Sequence, residues 1–294
     1  MTHPDGKIAR ILWYVPVTTG TPRTRALAAA LRHARESTGQ SLRAFAREAG
    51  LQHASLSLWE TGNRVPRTED VATILAHLGV VGDERERILE LARHASEQNW
   101  LAPGVSEQLD GVMECERTAT RIVDWSPLLI PGLLQTYDYA HAVFGADKSL
   151  SSKEVETSVT LRLGRRNVLT SNNSTSMSAL ISERALHKNV RNVDATINQL
   201  NYLKQVSEWD SVTLQIVRAG NDWAGLTGPF VLYEFDDAPP IVHLEHLRSG
   251  VFLYDDDDVC AFQDAAATLE QAAMNPVNSI EFITDLAAKM ESER

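Results

Sequence analysis

Cysteine is nearly missing from this chain: Cys115 and Cys260 are the only two in 294 residues, and they do not stand at a metal-site spacing. That excludes a disulfide framework and fits a reduced, cytoplasmic setting. Long apolar runs are also missing. None reaches the ~18–20 residues of a membrane-spanning helix, so no membrane partner is expected. The apolar stretch Ile8–Val17 is short, is interrupted by Arg10 and lacks a small-residue cleavage site, so it does not read as a secretory signal. A strand, a dimer arm and a disordered leader all remain open for it. Signatures of common chemistry are absent as well: there is no G-x-x-x-x-G-K-[ST], no H-E-x-x-H, no G-x-S-x-G and no dinucleotide glycine pattern after a strand. Cys115 sits between Glu114 and Glu116, which dull a thiolate. The expectation is a protein that is not an enzyme, with no catalytic residues, no cofactor and no metal.

Positive charge is scarce, but unevenly so. The net charge is −11. Residues 1–82 carry ten Lys/Arg against six Asp/Glu, a balance of +4, whereas residues 83–294 carry eighteen against thirty-three, a balance of −15. An acidic body repels phosphate, so contact with nucleic acid must be confined to the amino-terminal part. This asymmetry points to two domains with different partners, in keeping with the chain length.

Apolar spacing and helix stop signals divide the chain further. A first helix is expected over Arg25–Ser37 and a second after the N-cap Ser41, with Gly50 as the turn. A third spans Gln52–Thr61, a fourth is capped by Thr68, and a fifth covers Glu84–Glu97 with a box-like start at Asp83 and Glu86. Pro and Gly in Trp100–Gly104 mark a boundary. The expected layout is an extension over 1–20, a DNA-binding domain over 21–99 and a second domain over 105–294. That second domain opens with a long helix over Ser106–Val123, followed by helices at Tyr137–Phe144 and Ser152–Leu169. From Met177 β-branched and aromatic residues suggest strands at 177–182, 211–218, 229–235, 241–246 and 251–254, with helices at 193–206, 259–274 and 277–290. The fold class read from this is an all-α five-helix domain followed by an α+β domain with a small, mostly antiparallel sheet.

The second and third helices meet at a tight Gly50-Leu51 turn, the layout of a helix-turn-helix whose second helix enters the major groove. Residues 25–80 resemble the Xre, phage-repressor-like helix-turn-helix family. The resemblance rests on Ser41-Leu-Arg-x-x-Ala46, Gly50-Leu51, Ser55-Leu-Ser-x-Trp-Glu60-x-Gly62 and Arg64-x-Pro66. It implies binding of palindromic double-stranded DNA as a homodimer. Gln52, His53, Ala54 and Ser55 occupy the half of the third helix that faces base edges. Gln52 suits adenine, His53 suits guanine or phosphate, Ala54 and Leu58 suit a thymine methyl, and Ser57 suits base or phosphate. Arg43, Asn63, Arg64 and Arg67 sit where the sugar-phosphate backbone passes. The chain departs from the family at Leu42, where many members carry Gln.

The second part resembles a domain of unknown function that follows Xre-type domains in regulators of filamentous actinobacteria. The carrying residues include Glu116-x-x-Ala119-x-x-Ile122, Pro127-x-x-Ile130-Pro-Gly-Leu-Leu-Gln-Thr136, Arg162-x-x-Arg165-Arg166, Gln199-Leu200 and Leu226-x-Gly228-x-Phe230. The resemblance implies an antitoxin-like genetic setting beside a small partner protein. Candidate ligand- or partner-binding residues are Trp125, Leu129, Leu133, Gln135, Arg162, Arg166, Trp223, Phe230, His243 and Glu245. For each a plain packing or surface role stands beside the functional one: the Pro127–Thr136 segment reads as pocket wall or as buried connector, and the arginines as anion grip or as solvated face. His243 and Glu245 share a strand face without a third metal ligand. Two functions remain open. One is a sequence-specific transcription regulator whose carboxy-terminal domain receives a small-molecule or protein signal. The other is an antitoxin-like protein that sequesters a small partner and autoregulates its operon.

Overall fold

The computed structural model describes residues 21–95, 100–102, 105–170, 175–187, 193–221, 228–236, 238–246 and 249–294. The expected extension 1–20 lies outside them.

The amino-terminal part is a bundle of α1 (Pro22–Ser37), α2 (Leu42–Glu48), α3 (His53–Glu60), α4 (Thr68–His77) and α5 (Gly82–Arg93). Thr21 caps α1 and Ser41 caps α2 through side chains that accept the free amides of Thr24 and Ala44. The expected caps of α4 and α5 differ. Thr68 is the first helical residue rather than the cap of α4, and α5 starts at Gly82 with no side-chain cap, so Asp83 and Glu84 act through the helix dipole instead. Leu27, Leu31, Phe45, Leu56, Trp59, Ile74, Leu75 and Ile88 are buried at the bundle centre.

The body continues with β1 (Trp100–Ala102), α6 (Val105–Thr118), β2 (Arg121–Ser126), α7 (Tyr137–Phe144), α8 (Ser152–Arg165), β3 (Ser176–Ser182), α9 (Glu183–Leu186), α10 (Val193–Val206), β4 (Val212–Val217), β5 (Phe230–Glu234), β6 (Ile241–His246), β7 (Ser249–Leu253), α11 (Asp256–Ala272) and α12 (Pro276–Ser292). The sheet corrects the sequence expectation. It is a seven-stranded mixed sheet of order β1-β7-β6-β5-β2-β3-β4, not a small, mostly antiparallel one. β3 runs parallel to both β2 and β4, and β1, β7, β6, β5 and β2 pair antiparallel.

The difference traces to β2. Helical spacing predicts a helix running to Val123. That helix stops at Thr118, and Ile122-Val123-Asp124-Trp125-Ser126 forms a central strand, buried on both faces and hydrogen-bonded on both sides. With β2 in the sheet, the helical crossovers from β2 to β3 and from β3 to β4 give the parallel half. β1 also falls inside the expected boundary Trp100–Gly104 and pairs with β7.

One face of the sheet packs Val123, Trp125, Leu180, Phe230, Leu232 and Val242 against Val259, Ala266 and Leu269 of α11. On the other face the core of the body runs on into that of the bundle. α1 lies against α6. Arg25 donates to Thr118 Oγ1 at 2.6 Å with its guanidinium 3.8 Å from the Phe235 ring centroid. Arg32 reaches Glu114 at 3.2 Å, and Arg87 reaches Asp110 at 3.0 Å. The bundle is therefore seated on the body through the helix that also supports α3.

Candidate nucleic-acid interface

α2 and α3 meet as the sequence predicts. Gly50 takes a φ of 67°, the left-handed conformation that closes this turn, and Leu51 N–H bonds back to Ala46 O at 2.8 Å. Gln52 is the N-cap residue of α3. Its carbonyl accepts from Leu56 N at 3.1 Å, while its side chain makes no cap bond and stays exposed. The amide is thereby left free for an outside partner.

Burial along α3 separates an exposed edge from a packing edge. Leu56, Trp59 and Glu60 are buried, whereas Gln52, His53 and Ala54 are exposed, Leu58 is 40% exposed, and Ser55 and Ser57 are half-buried. Arg43 at the start of α2 and Asn63, Arg64 and Arg67 beyond α3 are all exposed or half so. Among the described residues Arg67 makes only a long contact, 3.4 Å to Asp70. Every expected reader and backbone contact is thus presented to solvent at least in part, and among the described residues nothing of the body covers the edge. Leu42 is half-buried against the core, so this position packs rather than orienting a reader.

Sequence reasoning missed the group that holds the edge in place. Glu60 ends α3 and is 3% exposed. Arg35 from α1 donates Nε to its Oε1 and Nη2 to its Oε2, both at 2.8 Å. Arg35 Nη1 also donates to Gln40 O at 2.7 Å, and Arg32 Nη1 donates to Glu60 O at 3.0 Å. A bidentate, buried pair fixes direction as well as distance. It locks the end of α3, the α1–α2 loop and α1 together, and Glu60 raises the Arg35 pKa by accepting its hydrogen bond against the cost of burial. The signal was present in the Trp59-Glu60-x-Gly62 motif, where an acid beside a core tryptophan points to an inward partner. Gly62 takes a φ of 75° and packs against Arg25 and Ala28 of α1, closing the other side of this joint.

The candidate residues of the body do not form one site. Trp125 and Phe230 are paired neighbours on β2 and β5 and pack under α11, with Phe230 edge-on to Phe262. Leu133, Gln135, Arg162 and Arg166 do come together, but much of their polarity holds the Pro127–Thr136 segment. Gln135 donates to Ile130 O at 2.8 Å, Arg166 donates to the carbonyls of Leu133 and Gln135, and Gln199 binds both Leu134 O and Thr136 N. The buried-connector role explains these contacts; Leu129 is half-buried beside them, packed on the core. Arg162 bonds Gln135 at 3.1 Å and stacks on Phe144, its Nε buried without a partner among the described residues, and burial lowers its pKa to about 10. Trp223 lies outside the described residues.

His243 and Glu245 do share a face, but their surroundings differ. His243 is buried between Gln108 and Phe252, and burial pushes its pKa down to about 3, whereas Glu245 is exposed. A Cβ on Gly250 would come within 2.6 Å of the His243 ring, so only glycine fits there. On the same face Asp124 is buried with Ser126 donating to it at 2.8 Å; burial, helped by Glu245 and Glu116, raises its pKa to about 7. Arg165, whose charge burial opposes, is held charged by a bidentate pair with Glu116 at 2.6 and 2.9 Å. Cys115 is fully buried, and that burial, more than Glu114 and Glu116, pushes its pKa up to about 12.

Comparison with known proteins adds two families. A family model described as a domain of unknown function, DUF5753, matches residues 109–285, and one described as a helix-turn-helix domain matches residues 26–88. No curated protein matches the chain. Among solved structures, that of TrmBL2, described as an archaeal chromatin protein with a novel mode of DNA binding, is similar at 14% identity and a TM-score of 0.30. The match covers 65% of this chain and 60% of that one, less than two thirds of its length. Among the described residues no helix is long and apolar enough to cross a membrane.

Proposed function

We propose, from the premise that this chain belongs to the DUF5753 family and carries a helix-turn-helix domain ahead of it, that the protein is a sequence-specific transcription regulator. The observation that carries the reading is the exposed amino-terminal half of α3, held on a rigid joint and left uncovered by the acidic body. In this reading α3 lies in the major groove. Gln52 hydrogen-bonds an adenine edge in both directions, His53 donates to guanine or phosphate, and Ala54 and Leu58 meet thymine methyl groups. Arg43, Asn63, Arg64 and Arg67 hold the phosphates and set the register. The protein acts as a homodimer of the Xre type, so two copies of α3 meet half-sites about one helical turn apart. The acidic body faces away from the duplex and receives the signal.

A footprint on the DNA upstream of the protein's own gene tests this. The expected result is protection of two half-sites with a two-fold relationship at moderate salt. No protection of any segment contradicts the reading.

A further inference from the structure

A cleft of about 520 Å³ lies where the bundle meets the body, lined by α1 and α5 on one side, α8 on the other and α6 between them. That volume is within the usual range for a small-molecule site. Its apolar walls are Ala26, Ala29 and Ala30 of α1, Met113 of α6, and Leu161 of α8 with Val168 just beyond it. Met113 and Leu161 are 41% and 43% exposed, which leaves two large apolar side chains facing the opening. Gly164 of α8 also lines it, and a Cβ there would meet nothing within 4 Å. A glycine inside a helix costs roughly 1 kcal/mol relative to alanine; here its missing side chain widens the cleft.

The charges at the cleft are unevenly used. The guanidiniums that line it are committed: Arg87 to Glu84 and Asp110, Arg117 to Glu114, and Arg165 to Glu116. Among the four lining carboxylates, Asp110 gives only Oδ2 to Arg87, at 3.0 Å. Its second oxygen accepts no hydrogen bond among the described residues. Burial, with Glu84 beside it, raises the Asp110 pKa in spite of Arg87 and His33, although 43% of the side chain stays exposed.

We propose that this cleft is an effector site for a small apolar molecule bearing an amine, its hydrocarbon part between α1 and α8 and its ammonium on Asp110, and that its occupancy alters operator binding. The effect on operator binding rests on the regulator reading above; the binding itself does not. The route for the effect is short. α1 forms one wall of the cleft and also carries Arg35, which holds the end of α3. A molecule wedged between α1 and α8 contacts bundle and body at once, so any difference in its affinity for two settings of that joint shifts their populations.

The experiment uses the full-length protein with 4-phenylbutylamine and, as the matched acid, 4-phenylbutanoate. Calorimetric titration should show one amine site per chain, with the acid binding at least tenfold more weakly. Gly164→Leu fills the cleft while improving helix propensity, so it should bind no amine yet melt no lower than wild type. Asp110→Asn should abolish the preference for amine over acid. Saturating amine should change operator affinity at least threefold in wild type and not in Gly164→Leu. The proposal is overturned if the amine does not bind, if Gly164→Leu binds it as well as wild type does, or if operator affinity is unchanged at saturation. Failure of the regulator reading shows separately, as absence of operator binding by the ligand-free protein.

Discussion

Asp124 and His243 show what single residues contribute beyond the interface. They lie on one sheet face, near Glu116, Glu245, Arg165 and His246, and burial shifts both toward their neutral forms. The consequences for stability have opposite signs. Asp124 has a folded pKa of about 7 against 3.8 for an ordinary aspartate, so folding favours its protonated form; its contribution is fully present in acid and is lost as pH rises through 7. His243 has a folded pKa of about 3 against 6.5, so the unfolded chain takes up a proton first, and stability is lost as pH falls below 6.5. Between about pH 4 and 6.5 the two slopes offset each other. Asp124→Asn keeps an acceptor for Ser126 and removes one slope. Urea unfolding from pH 7 down to pH 4.5 should show this variant losing stability on acidification more steeply than wild type, by up to about 1.4 kcal/mol per pH unit. Equal slopes in the two proteins would count against the assignment.

At the scale of elements, legibility tracks the strength of local signals. α2 and α3 are readable because Ser41, Gly50 and Gly62 each do a job that few residues can: a cap and two left-handed turns. β2 is not readable as a strand. Ala119 and Ile122 continue the helical spacing of Leu109 and Val112, and only pairing with β3 and β5 makes residues 121–126 a strand. The parallel half of the sheet is hidden with it. Site residues divide in the same way: exposure of Gln52 follows from its place at the start of α3 and that of Arg64 from the loop after it, whereas the Arg35–Glu60 pair spans 25 residues and needs the fold to become visible. That pair gives the prediction belonging to this scale. Glu60→Ala leaves a buried guanidinium alone and should cost about 3–5 kcal/mol in denaturant unfolding, while replacing both partners by methionine should cost far less. A loss under about 1 kcal/mol for Glu60→Ala would show that the joint is not held there.

On the scale of the whole molecule, charge and packing assign separate tasks. Residues 1–82, with a balance of +4, carry α3, whereas residues 83–294, which hold nearly all of α5 and the body, carry −15, a field that repels phosphate. Bundle and body are joined through α1, which packs on α6 and also supports α3. The central claim is that this edge reads bases while the arginines around it only position. The most direct measurement is the ratio of operator to random-duplex affinity across a series of salt concentrations, for wild type, Gln52→Ala and Arg64→Ala. The account predicts that Gln52→Ala weakens operator binding by about 1–3 kcal/mol and leaves random binding unchanged. It predicts that Arg64→Ala weakens both alike and lowers the salt slope by about one. An unchanged ratio in Gln52→Ala would contradict it.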